Sequence, residues 1–176
     1  MEPGEVELTV TGYLMDGTYF EGTDTIRVID KGRLRGRRVN SNSKVEDGIE
    51  YYIQTDKAVY NLGENVEMLY RVTNLGAEDV TFEFAIQQQT YFEVSDNETR
   101  IWGWPKLVNP AGSIFTLHPG EFKEYFKEWD MINDNTGALV IPGNYDVTGV
   151  LHYPPSHERY VPVSVEIEII TEKKKR

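Results

Sequence analysis

Alternation of apolar and polar residues with a period of two is the feature that most limits what this chain can fold into. Over residues 64–74, Val66, Met68, Tyr70 and Val72 alternate with Glu67, Leu69, Arg71 and Thr73. Over residues 79–87, Val80, Phe82, Phe84 and Ile86 alternate with Thr81, Glu83, Ala85 and Gln87. Near the end Val161, Val163, Val165, Ile167 and Ile169 alternate with Pro162, Ser164, Glu166 and Glu168. Successive side chains of a strand point to opposite faces, so each run describes a strand with one buried face. Pro162 removes a ladder donor, so the last strand is expected to begin at an edge or beside a bulge. Between the runs stand turn signals: Asn61-Leu62-Gly63, Asn74-Leu75-Gly76, Asn109-Pro110-Ala111-Gly112, Pro119-Gly120, residues 133–137 and Pro142-Gly143. The spacing holds no βαβ units and predicts an all-β, antiparallel β-sandwich of about six or seven strands.

One stretch departs from this pattern. In residues 121–132, Phe122, Tyr125, Phe126 and Trp129 fall at i, i+3, i+4 and i+7, with Lys123, Glu124, Lys127 and Glu128 between them. By periodicity alone that is an amphipathic helix, and Pro119 would suit its start. The amino-terminal residues read as a hairpin: Val6, Leu8 and Val10 alternate, Asp16-Gly17 marks a turn, and residues 23–29 alternate again. Two strands alone are marginal in water, so such a hairpin is expected to lean on something.

Charge divides the chain further. Of 176 residues, 29 are acidic and 18 basic, for a net charge of −11. Residues 1–30 carry −6, residues 31–44 carry +6, residues 45–170 carry −14 and residues 171–176 carry +3. The composition break at residues 40–48 reads as a linker. It divides the chain into an N-terminal hairpin extension with a basic linker over 1–48, a sandwich over 49–170 and a basic tail over 171–176. Lys31, Arg33, Arg35 and Arg37 share one parity and would project together from a strand. That patch could face an acidic partner, but complementarity to the chain's own acidic body is the simpler reading. The acidity of the whole argues against a nucleic-acid partner. No apolar run is long enough for membrane insertion by a helix. The first residues are too acidic for a signal peptide, which makes the protein cytoplasmic if Met1 is the native start and exported if a leader was trimmed.

The absence of cysteine excludes disulfides, thiolate catalysis, zinc fingers and iron–sulfur clusters. No nucleophile-elbow pattern surrounds any serine. His152 and His157 sit five apart in a proline-bearing loop without a fixed third ligand, and His118 stands elsewhere. Asp130, Asn133, Asp134, Asn135 and Gly137 have the ligand types of a calcium loop, but they fit no EF-hand spacing and are ordinary turn chemistry. An enzyme is not expected, nor a metal, nor any other cofactor.

The order of landmarks then carries a resemblance. Tyr60-Asn61-Leu62-Gly63-Glu64 opens a strand ending Val72-Thr73-Asn74. Val80 to Phe84 follow, then Gln87-Gln88-Gln89, Tyr91-Phe92-Glu93-Val94, Arg100-Ile101-Trp102, Leu117-His118-Pro119-Gly120-Glu121, Trp129-Asp130 and Ile141-Pro142-Gly143-Asn144-Tyr145. Over roughly residues 50–152 this set resembles the BsuPI-type intracellular proteinase inhibitor family. The resemblance implies an immunoglobulin-like antiparallel β-sandwich in which residues 121–129 are a strand, against the helical spacing. Pro142-Gly143-Asn144-Tyr145 resembles a tyrosine corner, and Trp102, Trp129 and Tyr145 are expected to pack in the core. It also implies a protein partner, a protease, with a subtilisin-like serine protease as the concrete candidate.

A disulfide-free inhibitor must hold an extended loop by strand anchoring and prolines, since preorganisation removes the ordering cost of binding. The first candidate loop is Trp104, Pro105, Lys106, Leu107, Val108, Asn109 and Pro110. The second is Tyr153, Pro154 and Pro155. Either could also be a plain connection. The other class of function is a structural or adhesive sandwich module of a cell-surface or extracellular assembly; the oligomeric state is open.

Overall fold

The computed structural model describes residues 4–13, 18–28, 39–154 and 157–171. The chain divides into two compact units, Met1–Arg37 and Arg38–Arg176. In the first, β1 (Gly4–Tyr13) pairs antiparallel with β2 (Tyr19–Val28), from Gly4 opposite Val28 to Tyr13 opposite Tyr19. The hairpin expected there is present. Its Asp16-Gly17 turn lies outside the described residues, as does the basic patch Lys31, Arg33, Arg35 and Arg37.

The second unit holds β3 (Asn40–Glu46), β4 (Ile49–Thr55), β5 (Val59–Asn61), β6 (Val66–Asn74), β7 (Val80–Phe84), β8 (Thr90–Asp96), β9 (Thr99–Trp104), β10 (Ser113–Leu117), β11 (Phe122–Trp129), β12 (Gly143–Leu151) and β13 (Val163–Ile170). They form a four-stranded sheet β11-β6-β4-β3, a five-stranded sheet β5-β13-β12-β8-β9 and a two-stranded piece β10-β7. All pairings are antiparallel except the short β5–β13 contact. This is the antiparallel β-sandwich that the alternation predicts, immunoglobulin-like as the resemblance implied.

The alternating apolar sets meet between the sheets. Ile49, Tyr51 and Ile53 of β4 and Val66, Met68, Tyr70 and Val72 of β6 form one buried wall. Phe92 and Val94 of β8, Tyr145 and Val147 of β12 and Val163, Val165, Ile167 and Ile169 of β13 form the other. The walls approach so closely at Gly149 that a Cβ there would stand 2.5 Å from Tyr70 Cδ2 and 2.9 Å from Ile53 Cδ1. Trp129 is fully buried, with its ring 6.5 Å from that of Trp102 and 6.0 Å from that of Tyr145. The Tyr145 hydroxyl donates to Ile141 O at 2.6 Å, which is the tyrosine corner that the resemblance implied.

Two readings of the sequence are corrected. Residues 122–129 form the strand that the resemblance implied and not the helix that their spacing describes; β11 pairs with β6 from Phe122 opposite Thr73 to Trp129 opposite Val66. Tyr125 and Trp129 turn inward, while Phe122 and Phe126 remain 58% and 65% exposed. Each face of this edge strand carries an aromatic pair four residues apart, Phe122 with Phe126 and Tyr125 with Trp129, and the two pairs together imitate helical spacing. Residues 40–46 are not linker. They pair with β4, and Asp47-Gly48 forms the hairpin turn, with φ of 50° and 75°. Their polar composition follows from what they touch. Asn40 Nδ2, Asn42 Nδ2 and Lys44 Nζ donate to the carbonyls of Glu166, Ser164 and Pro162 at 2.6, 2.9 and 2.7 Å. β5 pairs β13 only at Glu168–Ile170, so these side chains close the edge that β13 leaves open after Pro162.

Candidate protein-contact site

The connection between β9 and β10 leaves the body at Trp104 and returns at Ser113. Trp104 still pairs with Phe92, and its half-buried ring carries Lys127 Nζ 4.0 Å from its centroid. The Trp104–Pro105 bond is cis. Beyond it, Leu107 is 86% and Val108 53% exposed, and Lys106, Asn109 and Pro110 are also exposed.

Two sets of bonds hold the ends of this exposed stretch. On the β9 side Asp134 binds the Lys106 ammonium, and its carboxylate accepts from the Gly103 N–H at 3.1 Å. The Asp134 N–H donates to Ile101 O at 2.7 Å, and Asn135 Nδ2 donates to Arg100 O at 3.1 Å. Lys106 Nζ also lies 5.0 Å from the centroid of the Trp102 ring. On the β10 side, Asn109 N donates to Gln88 Oε1 at 2.8 Å, Asn109 Nδ2 to Gln87 Oε1 at 2.7 Å, and Gln87 N to Asn109 O at 3.0 Å. Asn109 Oδ1 accepts from Ala111 N at 3.1 Å, and Ser113 Oγ donates to Ile86 O at 2.9 Å. An apolar pair thus stands in water between two anchored ends.

The turn once weighed as a calcium loop is one of these anchors. Asn133 Oδ1 accepts from Asn135 N at 2.8 Å, Gly137 N donates to Asn133 O at 2.8 Å, and Asp130 Oδ1 accepts from Ile132 N at 3.2 Å. Its carboxylates therefore serve backbone and lysine donors. Among the described residues, no three of His, Asp and Glu come together as metal ligands.

The second candidate stretch is engaged differently. Tyr153 is half-buried, with its ring stacked between Phe84 at 4.8 Å and His157 at 4.1 Å. Pro154 is exposed, and Pro155 lies outside the described residues. The histidines do not converge. His152 tilts against Tyr91 at 6.0 Å, with burial holding its imidazole below the usual range, while His157 lies on Tyr153. His118 Nδ1 meets Asp79 Oδ1 at 2.8 Å on the surface, and that hydrogen bond raises its pKa.

Sequence reasoning named the exposed residues of the first loop but missed what fastens them. Asp134 looked like turn chemistry, and Gln87 and Gln88 were only a landmark. The available signal was the run Gln87-Gln88-Gln89 at a strand end, where water-seeking amides replace the alternation. Gln89 joins the same scaffold, since its Oε1 accepts from Tyr125 OH at 2.9 Å and its carbonyl from His152 N at 2.9 Å.

The sandwich thus carries, among the described residues, an apolar-tipped loop bonded at both ends. Residues 53–155 match the family model BsuPI, described as intracellular proteinase inhibitor. That match covers more than half of the chain, and the chain belongs to this family. No curated protein matches it. Among solved structures it is similar to a β-glucosidase from Erythrobacter marinus, at 15% identity and a TM-score of 0.41 over 75% of this chain and 16% of that one. It is also similar to the CARDB domain of a Pyrococcus furiosus protein, at 16% identity and 0.40 over 77% and 97%. A third is the alkylpurine DNA glycosylase AlkC from Pseudomonas fluorescens, at 16% identity and 0.43 over 72% and 32%. The chain therefore spans about a sixth of the glucosidase and a third of the glycosylase.

Proposed function

We propose that this protein inhibits a subtilisin-like serine protease by inserting residues 104–110 into the substrate cleft. The observation that carries the reading is the exposed Leu107-Val108 pair held between the Asp134 and Gln87–Gln88 anchors. An apolar side chain that stands in water at no gain to the fold gains by entering an apolar subsite. Because both ends are already bonded, the loop loses little freedom on docking, and more of the contact energy appears as affinity. Family membership supports the protease as partner class. The reading gives the chain no catalytic group.

The experiment is a titration of subtilisin with the full chain. Inhibition at near-stoichiometric ratios is expected, with Leu107→Asp weakening it at least a hundredfold while leaving the melting temperature in place. Full protease activity at large molar excess, with steady digestion of the chain, would overturn the reading.

A further inference from the structure

Several strand edges of this sandwich are bonded by side chains or loop groups. Asp134 and Asn135 bond the outer backbone of β9 at Arg100, Ile101 and Gly103. Asn40, Asn42 and Lys44 close β13, and Arg159 Nη1 donates to Thr81 O of β7 at 2.5 Å. β11 ends the four-stranded sheet, and among the described residues nothing bonds its outer edge. After the Pro119-Gly120 turn β10 pairs β7 rather than β11, so the two strands diverge. Two open clefts of about 490 Å³ each lie along β11. One is walled by Met68, Trp102, Trp104 and Phe126, the other by Phe115, Leu117 and Phe122.

The charges on β11 say what would fit. Lys123 and Lys127 turn inward, Nζ of the first 4.4 Å from the Phe115 ring centroid and Nζ of the second 4.0 Å from that of Trp104. Both are half-buried, and burial pushes the Lys123 amine below its usual range. Neither has a carboxylate partner among the described residues, although residues 45–170 carry −14. Two sheltered cations left unpaired on so acidic a body are the counterpart of an anionic group supplied from outside.

A second copy of the chain does not meet that need. Two edges joined about a two-fold axis normal to the sheet pair residues of equal parity. Across the registers that pair five or more residues of β11, Lys123 faces Lys127, Glu124 faces Glu128, Glu124 faces its own copy, or Lys127 faces its own copy. Like charges directly opposite are destabilising, so this edge rejects itself.

We propose that the outer edge of β11 is a strand-addition site for an extended segment of a different protein, bearing carboxylates opposite Lys123 and Lys127 and an apolar residue opposite Tyr125. Main-chain hydrogen bonds would supply affinity, and the two aromatic-walled clefts with their lysines would supply register. The site borders the base of the loop at Trp104 but does not include Leu107 or Val108, and it stands or falls independently of the protease reading.

The test uses the full chain and two blocked synthetic peptides of one composition, KEVVKEV and EKVVEKV. Paired antiparallel to Phe122–Glu128, the first places its glutamates opposite Lys127 and Lys123, and the second places lysines there. The first is expected to bind at least tenfold more tightly and to slow amide exchange along β11. Lys123→Glu with Lys127→Glu should erase the preference, while Leu107→Asp leaves both affinities unchanged. Equal binding of the peptides, no binding of either at millimolar concentration, protection on another strand, or self-association through β11 would each overturn the proposal.

Discussion

Asn74 is fully buried, yet each of its polar groups is bonded. Its Nδ2 donates to Glu78 O at 2.7 Å and Leu117 O at 3.0 Å, its Oδ1 accepts from Gly76 N at 2.9 Å, and its backbone bonds Gly120 and Glu121. One amide therefore fixes the turn after β6 to the end of β10. Asn74→Leu keeps the volume but orphans those groups, and it should cost about 3 kcal/mol, read as a lower urea midpoint at unchanged m-value. Gly149 shows the opposite constraint, since it is required for what it lacks. With Tyr70 and Ile53 already in contact range, Gly149→Ala should cost about 1–3 kcal/mol through displaced rings. Glu64 caps the turn after β5: its carboxylate accepts from Lys57 Nζ at 2.8 Å and Asn61 N at 3.1 Å, and the lysine bond chiefly holds its pKa below the ordinary value. A folded pKa lowered in this way adds stability above the unfolded carboxylate pKa, and the gain is lost as pH falls through the folded value. Glu64→Gln should therefore be less stable than the parent at pH 7, by under ~1 kcal/mol for so exposed a pair, with the gap closing below about pH 4.

At the scale of elements, the loop and β11 show how placement overrides local pattern. The loop is tied at its base by Asp134, which joins Gly103 of β9 to Lys106 through bonds between residues far apart in sequence. Asp134→Ala should leave the sheets intact, lower stability by about 1–2 kcal/mol, and speed proteolytic nicking within residues 105–110. Mass spectrometry of limited digests reads the site directly, and unchanged nicking would show that the Gln87–Asn109 bonds suffice alone. β11 was the one element whose own spacing pointed the wrong way. Eight residues with aromatics on both faces mimic a helical stripe when the strand is an edge, because its outward face need not be polar. β3 misled in reverse, since a strand that caps another strand through asparagine and lysine side chains carries none of the apolar alternation by which strands are recognised. Its Asp47-Gly48 turn was legible as a hairpin signal and went unused.

For the whole molecule, the aromatic richness is a property of the core and sets its response to alkali. Burial pushes the Tyr51 phenol up to about 12 and raises those of Tyr60, Tyr70 and Tyr125 further. A raised folded pKa means stability that is complete below the unfolded value near 10 and lost as pH climbs towards the folded one. Titration at 295 nm should show these four tyrosines resisting ionisation until the fold is lost, in a step coincident with loss of the far-ultraviolet strand signal. The period-two runs by themselves determined that the chain is an antiparallel sandwich and which faces of β6, β7 and β13 point inward, because burial must repeat every second residue whatever the strand pairs with. Sequence likewise placed the exposed Leu107-Val108 pair between turn signals. Tertiary structure settled β11 as a strand against its own spacing, and it alone decided that β3 closes β13 and that Asp134, Gln87 and Gln88 grip the loop. Those outcomes depend on bonds between residues distant in the chain, and a polar side chain carries no local mark of the distant group it will meet.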